Sequence, residues 1–174
     1  MKENWPPTAR GYFAIGAERI SKVFNMGNLM RSAHGFGASF TFTIGAHYRS
    51  AEGLADTSKG LTHLPHYNWG SIDDMQLPEG CKVVGVELLD DAIDLPSFRH
   101  PLQAAYVLGP ELGSLSPELL ERCDYTIKIP TRFCINVAMA GAIVMYDRTR
   151  MLARFADRPM ISGGPKLVGT KRSE

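Results

Sequence analysis

The sequence predicts a single α/β domain with a largely parallel sheet flanked by helices. Short apolar runs rich in β-branched and aromatic residues alternate with helix-forming segments. Glycine or proline marks most of the junctions between them. The 174 residues are 44% hydrophobic and 21% charged. That is enough for one core burying about 70% of the unfolded surface.

Taken in order, residues 1–10 read as a flexible arm, because Pro6-Pro7 blocks regular structure. Gly11–Gly16 is an apolar run bounded by glycines and suits a buried strand. Asn25 and Asn28 are candidate N-caps of a helix running to about Phe36. Phe40–Ile44 is β-branched and aromatic, hence a second strand. The stretch from Gly45 to Gly70 is the least regular and reads as a long loop, with or without short helical pieces. Ser71–Met75 is a candidate helix start, and Lys82–Val86 and Ala104–Leu108 are strands. Ser116-Pro117-Glu118 has the cap-then-proline form of a helix start, carrying on to Arg122. Tyr125–Ile129 alternates and stops at Pro130. A helix from about Ile135 to Arg154, roughly 30 Å long, completes a domain spanning 11–158, with 159–174 as a flexible tail.

Composition excludes several classes. No apolar run approaches 18 residues and the N-terminus lacks a signal-peptide core, so no membrane partner and a cytoplasmic location are expected. Cys81, Cys123 and Cys134 are odd in number and widely spaced, which argues against disulfides and zinc. His63 and His66 lack a third ligand at sensible spacing, so no metal is expected. No G-x-G-x-x-G follows the first strand and no Walker-type lysine loop occurs, which disfavours a nicotinamide enzyme. Net charge is only +1, so a nucleic-acid site has to be local. Arg148, Arg150, Arg154 and Arg158, and Lys166, Lys171 and Arg172 in the tail, are the candidate clusters.

In parallel sheets ligands sit beyond the C-terminal strand ends, so the loops after Val86, Leu108 and Ile129 matter most. Gly109 and Gly113 flank Glu111, and Asn136 heads the long helix, either as its cap or as a polar ligand contact.

Together these segments resemble a known family. Asn25-x-Gly27-Asn28-x-x-Arg31-x-Ala33-x-x-Phe36-Gly37 is similar to the first motif of the SpoU (SPOUT, α/β-knot) RNA ribose methyltransferases. The run from Leu108 through Glu111 to Ser116 resembles the second. Ile129-Pro130, Cys134-Ile135-Asn136 and Tyr146-Asp147-x-x-Arg150 resemble the third. The length is most like the minimal stand-alone members that methylate tRNA, including the wobble-position enzyme. The resemblance implies S-adenosylmethionine as cofactor, RNA as substrate with tRNA ahead of rRNA, a homodimer and a C-terminal trefoil knot. It assigns Arg31, Asn28, Glu111 and Asn136 to catalysis. Glu87, Leu88, Gly109, Ile129, Cys134 and Asn136 fall to the cofactor, and Asn25, Arg31 and Arg132 to RNA. The third motif departs at Cys134-Ile135, where the family usually carries Ser-Leu, and the spacer before it is short. The alternative implied by that change is a non-catalytic RNA-binding or assembly protein with the same fold.

Overall fold

Tyr12–Glu18 forms strand β1 in the interior of the sheet, where every residue from Phe13 onward is buried and both faces are therefore covered. The computed structural model describes residues 11–47, 64–160 and 162–164. Its elements continue with α1 (Val23–Phe36), β2 (Phe40–Ile44), β3 (His66–Trp69), β4 (Lys82–Val86) and β5 (Ile93–Asp94). A 3-10 turn at Leu95–Ser97 leads to β6 (Gln103–Leu108), α2 (Pro117–Arg122), β7 (Tyr125–Lys128) and α3 (Val137–Leu152). The strands form one wholly parallel sheet in the order β3-β2-β1-β6-β4-β7-β5.

Alternation along the strands splits the core into two layers. Phe13, Ile15 and Ala17 face α1 and α3, meeting Met26, Leu29, Val144 and Met145. Ala14, Phe42 and Val107 face the other way, toward Met75, Leu115 and Leu119. The two long helices approach so closely that a Cβ on Gly141 would lie 2.3 Å from Leu29 Cδ1. Any side chain there would force the Leu29 side chain to move.

Several expectations change. Asn25 and Asn28 lie inside α1 rather than capping it; the N-cap is Lys22, with no side-chain cap bond of its own. A distant carboxylate takes the capping role, as described below. The irregular stretch holds an edge strand, β3, stabilised on β2 by Phe40–Tyr67 and Phe42–Trp69 ring contacts. Ser71–Met75 is a single turn, closed by Ser71 N and Oγ donating to Asp74. That side-chain bond competes with helix propagation. The expected arm at 1–10, His63, and Lys166, Lys171 and Arg172 of the tail lie outside the described residues.

Arg148 leaves the proposed basic cluster. It is 2% exposed and donates to the carbonyls of Pro101, Leu102 and Tyr12 at the N-terminal ends of β6 and β1. Its guanidinium lies 5.3 Å from the centre of the Phe13 ring. Fixed geometry and weak hydration suit arginine to this buried role. Arg150, Arg154 and Arg158 remain exposed.

Beside Arg148, Tyr106 OH is 2.6 Å from His100 Nδ1, and His100 Nε2 is 3.1 Å from Asp147. Arg148 donates to the Tyr106 oxygen, so that hydroxyl is free to donate to Nδ1. The network then closes with a neutral His100 whose Nε2–H donates to Asp147. Burial holds the His100 pKa below its ordinary value of 6.5, outweighing the pull of Asp147 in the opposite direction. As pH falls through 6.5 the unfolded chain takes up a proton that the fold resists, so stability is lost on the acid side. Thermal melts between pH 7.5 and about 5.5 are expected to show a falling melting temperature. His100→Gln should flatten that slope, leaving the share of His66, which burial also shifts downward. Parallel profiles for the two proteins would refute the assignment.

Candidate active site

The C-terminal strand ends set the level of the site. Leu108 pairs with Ala17 on one side and Val86 on the other, and Val86 pairs with Ile127. The loops after β1, β4, β6 and β7 therefore leave the sheet along one rim. The strand order also reverses between β1 and β6, where such sheets bind ligands. A cleft of about 380 Å³ opens there. Val86, Leu108, Ile135 and Ala140 give it apolar walls, and Gly109, Pro110 and Thr131 form part of its rim.

One hydrogen-bond chain links the three sequence motifs beneath this cleft. Asn136 Nδ2 donates to Asn25 Oδ1 at 3.0 Å, and Asn25 Nδ2 donates to Glu111 Oε1 at 2.9 Å. Asn136 Oδ1 meanwhile accepts from Ala138 and Met139 N–H, so it caps α3 and joins the chain at once. The Glu111 carboxylate also accepts from Ser21 N and Oγ and from Lys22 N. It thus places a negative charge at the start of α1, where the helix dipole is positive. Desolvation pulls the Glu111 pKa upward, but the bonds from Asn25, Ser21 and Lys22 outweigh it and leave the carboxyl below its usual range. A buried amide such as Asn25 would be costly without these partners.

Three side chains hold the far end of the β6–α2 loop. Arg19 Nη2 donates to Ser114 O at 2.6 Å, and Leu115 N donates to Glu87 Oε2 at 2.8 Å. Ser116 N donates to Glu18 Oε2 at 2.8 Å, and its hydroxyl donates to the same carboxylate. The returning loop lies so close to Gly109 that a Cβ there would meet Glu87 Oε2 at 3.2 Å and Leu115 N at 3.4 Å.

Of the residues expected at the site, Asn25, Glu87, Leu88, Gly109, Glu111, Ile129, Cys134 and Asn136 line this cleft. Asn28, Arg31 and Arg132 do not; all three are exposed. Asn28 and Arg31 share an outward face of α1 with Phe24, at helical spacings of four and three. Arg31 has no hydrogen-bond or ion-pair partner among the described residues. Glu111 accordingly organises the start of α1 and leaves Arg31 alone. Sequence reasoning missed Glu18, Arg19 and Lys22. The available signal was the charged pair ending an apolar strand; in the fold Glu18 is only 3% exposed.

Glu111→Gln replaces one carboxylate oxygen by an amide donor, which faces either the Ser21 donors or those of Lys22 and Asn25. It should destabilise the fold by roughly 1–2 kcal/mol, since several charge-assisted bonds are lost from a partly exposed group. Chemical denaturation measures this, and an unchanged midpoint would refute the capping role.

Over 146 residues the chain is 26% identical to tRNA (guanosine(18)-2′-O)-methyltransferase TARBP1 of Mus musculus, covering 78% of this chain and 9% of that protein. It is 24% identical over 149 residues to the tRNA (guanosine(18)-2′-O)-methyltransferase of Aquifex aeolicus, covering 78% of this chain and 68% of that one. The chain thus spans a small part of the mouse relative and about two thirds of the bacterial one. Its fold is similar to a crystal structure of an AdoMet-bound rRNA methyltransferase from Sinorhizobium meliloti, with a TM-score of 0.73. That match has 23% identity and covers 83% of this chain and 58% of the other. The model of the SpoU rRNA Methylase family matches residues 12–146, a span that takes in every loop lining the cleft, and the chain belongs to that family.

Proposed function

We propose that this chain is an S-adenosylmethionine-dependent RNA methyltransferase that modifies a ribose 2′-hydroxyl, with tRNA as substrate. The observation that carries the reading is the convergence of all three family motifs on one cleft through the Asn136–Asn25–Glu111 chain. Both curated relatives act on tRNA, which favours tRNA over rRNA.

The residues present fit the cofactor. A cleft of about 380 Å³ lies in the range of small-molecule sites. Its apolar walls suit a purine, and the absence of a Cβ at Gly109 lets the returning loop pack behind this stretch of the cleft wall. Leu88, Gly109 and Ile129 would hold the cofactor from the strand ends, with Cys134 beside it on the β7–α3 loop. Glu87 would keep the loop backbone in place. When bound, the cofactor supplies an electrophilic methyl group.

The chain's own contribution is to position the acceptor and stabilise its charge. A ribose hydroxyl is very weakly acidic, and arginine stays protonated at all ordinary pH. The Arg31 guanidinium therefore serves beside a phosphate, where it stabilises negative charge growing on the 2′-oxygen. Asn25, Asn28 and Arg132 would contact the RNA.

Arg31 does not line the cleft of its own chain, so the reading includes a homodimer. Phe24, 75% exposed, shares a face with Asn28 and Arg31. Met139, Ile143 and Tyr146 make a matching exposed stripe on α3, which packs alongside α1. An apolar surface of this kind on two adjacent helices suits a two-fold interface. Pairing there would bring Arg31 of one subunit toward the cleft of the other. The trefoil knot of the SPOUT fold is part of the same proposal.

Isothermal calorimetry should detect S-adenosylmethionine binding, and ribose-methylation mapping of total RNA should reveal one site that depends on this gene. No binding at millimolar cofactor would sink the enzyme reading, and RNA binding in its place would leave a non-catalytic protein. Arg31→Ala should lower methyl transfer by about a hundredfold or more while cofactor affinity is kept. Undiminished turnover in that variant would take Arg31 out of the mechanism.

A further inference from the structure

Arg19 is the one non-glycine residue with positive φ, 51°, among the described residues. A side chain is strained in that region, whereas glycine would occupy it freely. Such strain persists only where surrounding structure enforces it, and it concentrates at functional sites. Here the kink ends β1: Arg19 N donates to Ile44 O at 2.7 Å. The guanidinium then reaches across the rim to Ser114 O.

We propose that Arg19 and Glu18 are positioning residues for the cofactor loop, an inference that rests on the methyltransferase reading above. Three consecutive residues, Ser114, Leu115 and Ser116, are each held by a different charged side chain. Ser114 and Leu115 pack directly on the backbone of Gly109, which lines the cleft. Where they sit decides where Gly109 sits. Between these contacts and Glu111 only the turn stands freer, with Leu112 90% exposed and Gly113 at φ 102°. Arg19 and Glu18 thus fix the returning end of the loop behind Gly109, while the Pro110–Gly113 end lines the cleft and is anchored separately through Glu111.

The decisive variant is Arg19→Gly, because it removes the clasp while relieving the backbone strain. Arg19→Gly should raise KM for S-adenosylmethionine about tenfold, with kcat changed by less than about twofold. Arg19→Lys, which keeps a cationic donor, should restore much of the affinity. Glu18→Gln should act in the same direction, since an amide offers only one acceptor to the two donors of Ser116. Hydrogen exchange of the Leu115 and Ser116 amides should accelerate in Arg19→Gly, and this readout needs no cofactor. Unchanged exchange at those amides would overturn the clasp, whether or not the wild-type protein binds S-adenosylmethionine. Wild-type KM in Arg19→Gly, or a loss confined to RNA affinity, would overturn the positioning role. Failure of the wild-type protein to bind cofactor would instead refute the methyltransferase reading, with the exchange data still deciding the clasp.

Discussion

The hydrogen-bonded carboxylate of Glu111 is the constraint on which the rest of the site depends. It stands where α1 begins, accepting from Ser21, Lys22 and Asn25. The first turn of α1 thereby gains the capping group it lacks locally. The β6–α2 loop, in turn, is tied to a helix almost ninety residues earlier in the chain. Because Asn25 passes the connection to Asn136, α3 is drawn into the same arrangement. Its cap and its place in the site come from one side chain.

The sheet gives this arrangement its precision. Parallel register brings Ala17, Leu108, Val86 and Ile127 abreast, so four loops start from a common edge. A slip of one residue along β6 would turn Leu108 to the opposite layer and carry Gly109 away from Glu87. Charged groups then complete what the register begins, each meeting backbone atoms on a neighbouring loop. Such contacts are directional, whereas apolar packing in the two core layers is not.

The opposite end of the sheet is closed by a different device. Arg148 gathers carbonyls at the starts of β1 and β6, with Tyr106, His100 and Asp147 satisfying one another beside it. Burial lifts the Tyr106 pKa to about 12, so its hydroxyl keeps its proton and can bridge arginine and histidine. Rigid strand starts and polar, loop-bearing strand ends divide stability from function along the same strands.

By itself the sequence determined the α/β class, most strands and helices, and part of the set of residues that meet in the cleft. Periodicity and punctuation are local properties, and the motif residues carry their chemistry wherever they fold. The short edge strand β3 escaped notice because its stability comes from ring contacts with β2, not from its own pattern. Only tertiary structure decided that Asn25 links the other two motifs instead of capping a helix, that Arg148 is buried, and that Arg31 does not line its own cleft. It also brought Glu18 and Arg19 to the loop, since their partners lie 98 and 95 residues away. A side chain's role follows from which polar groups reach it, and contacts across such separations leave no periodic trace in the chain.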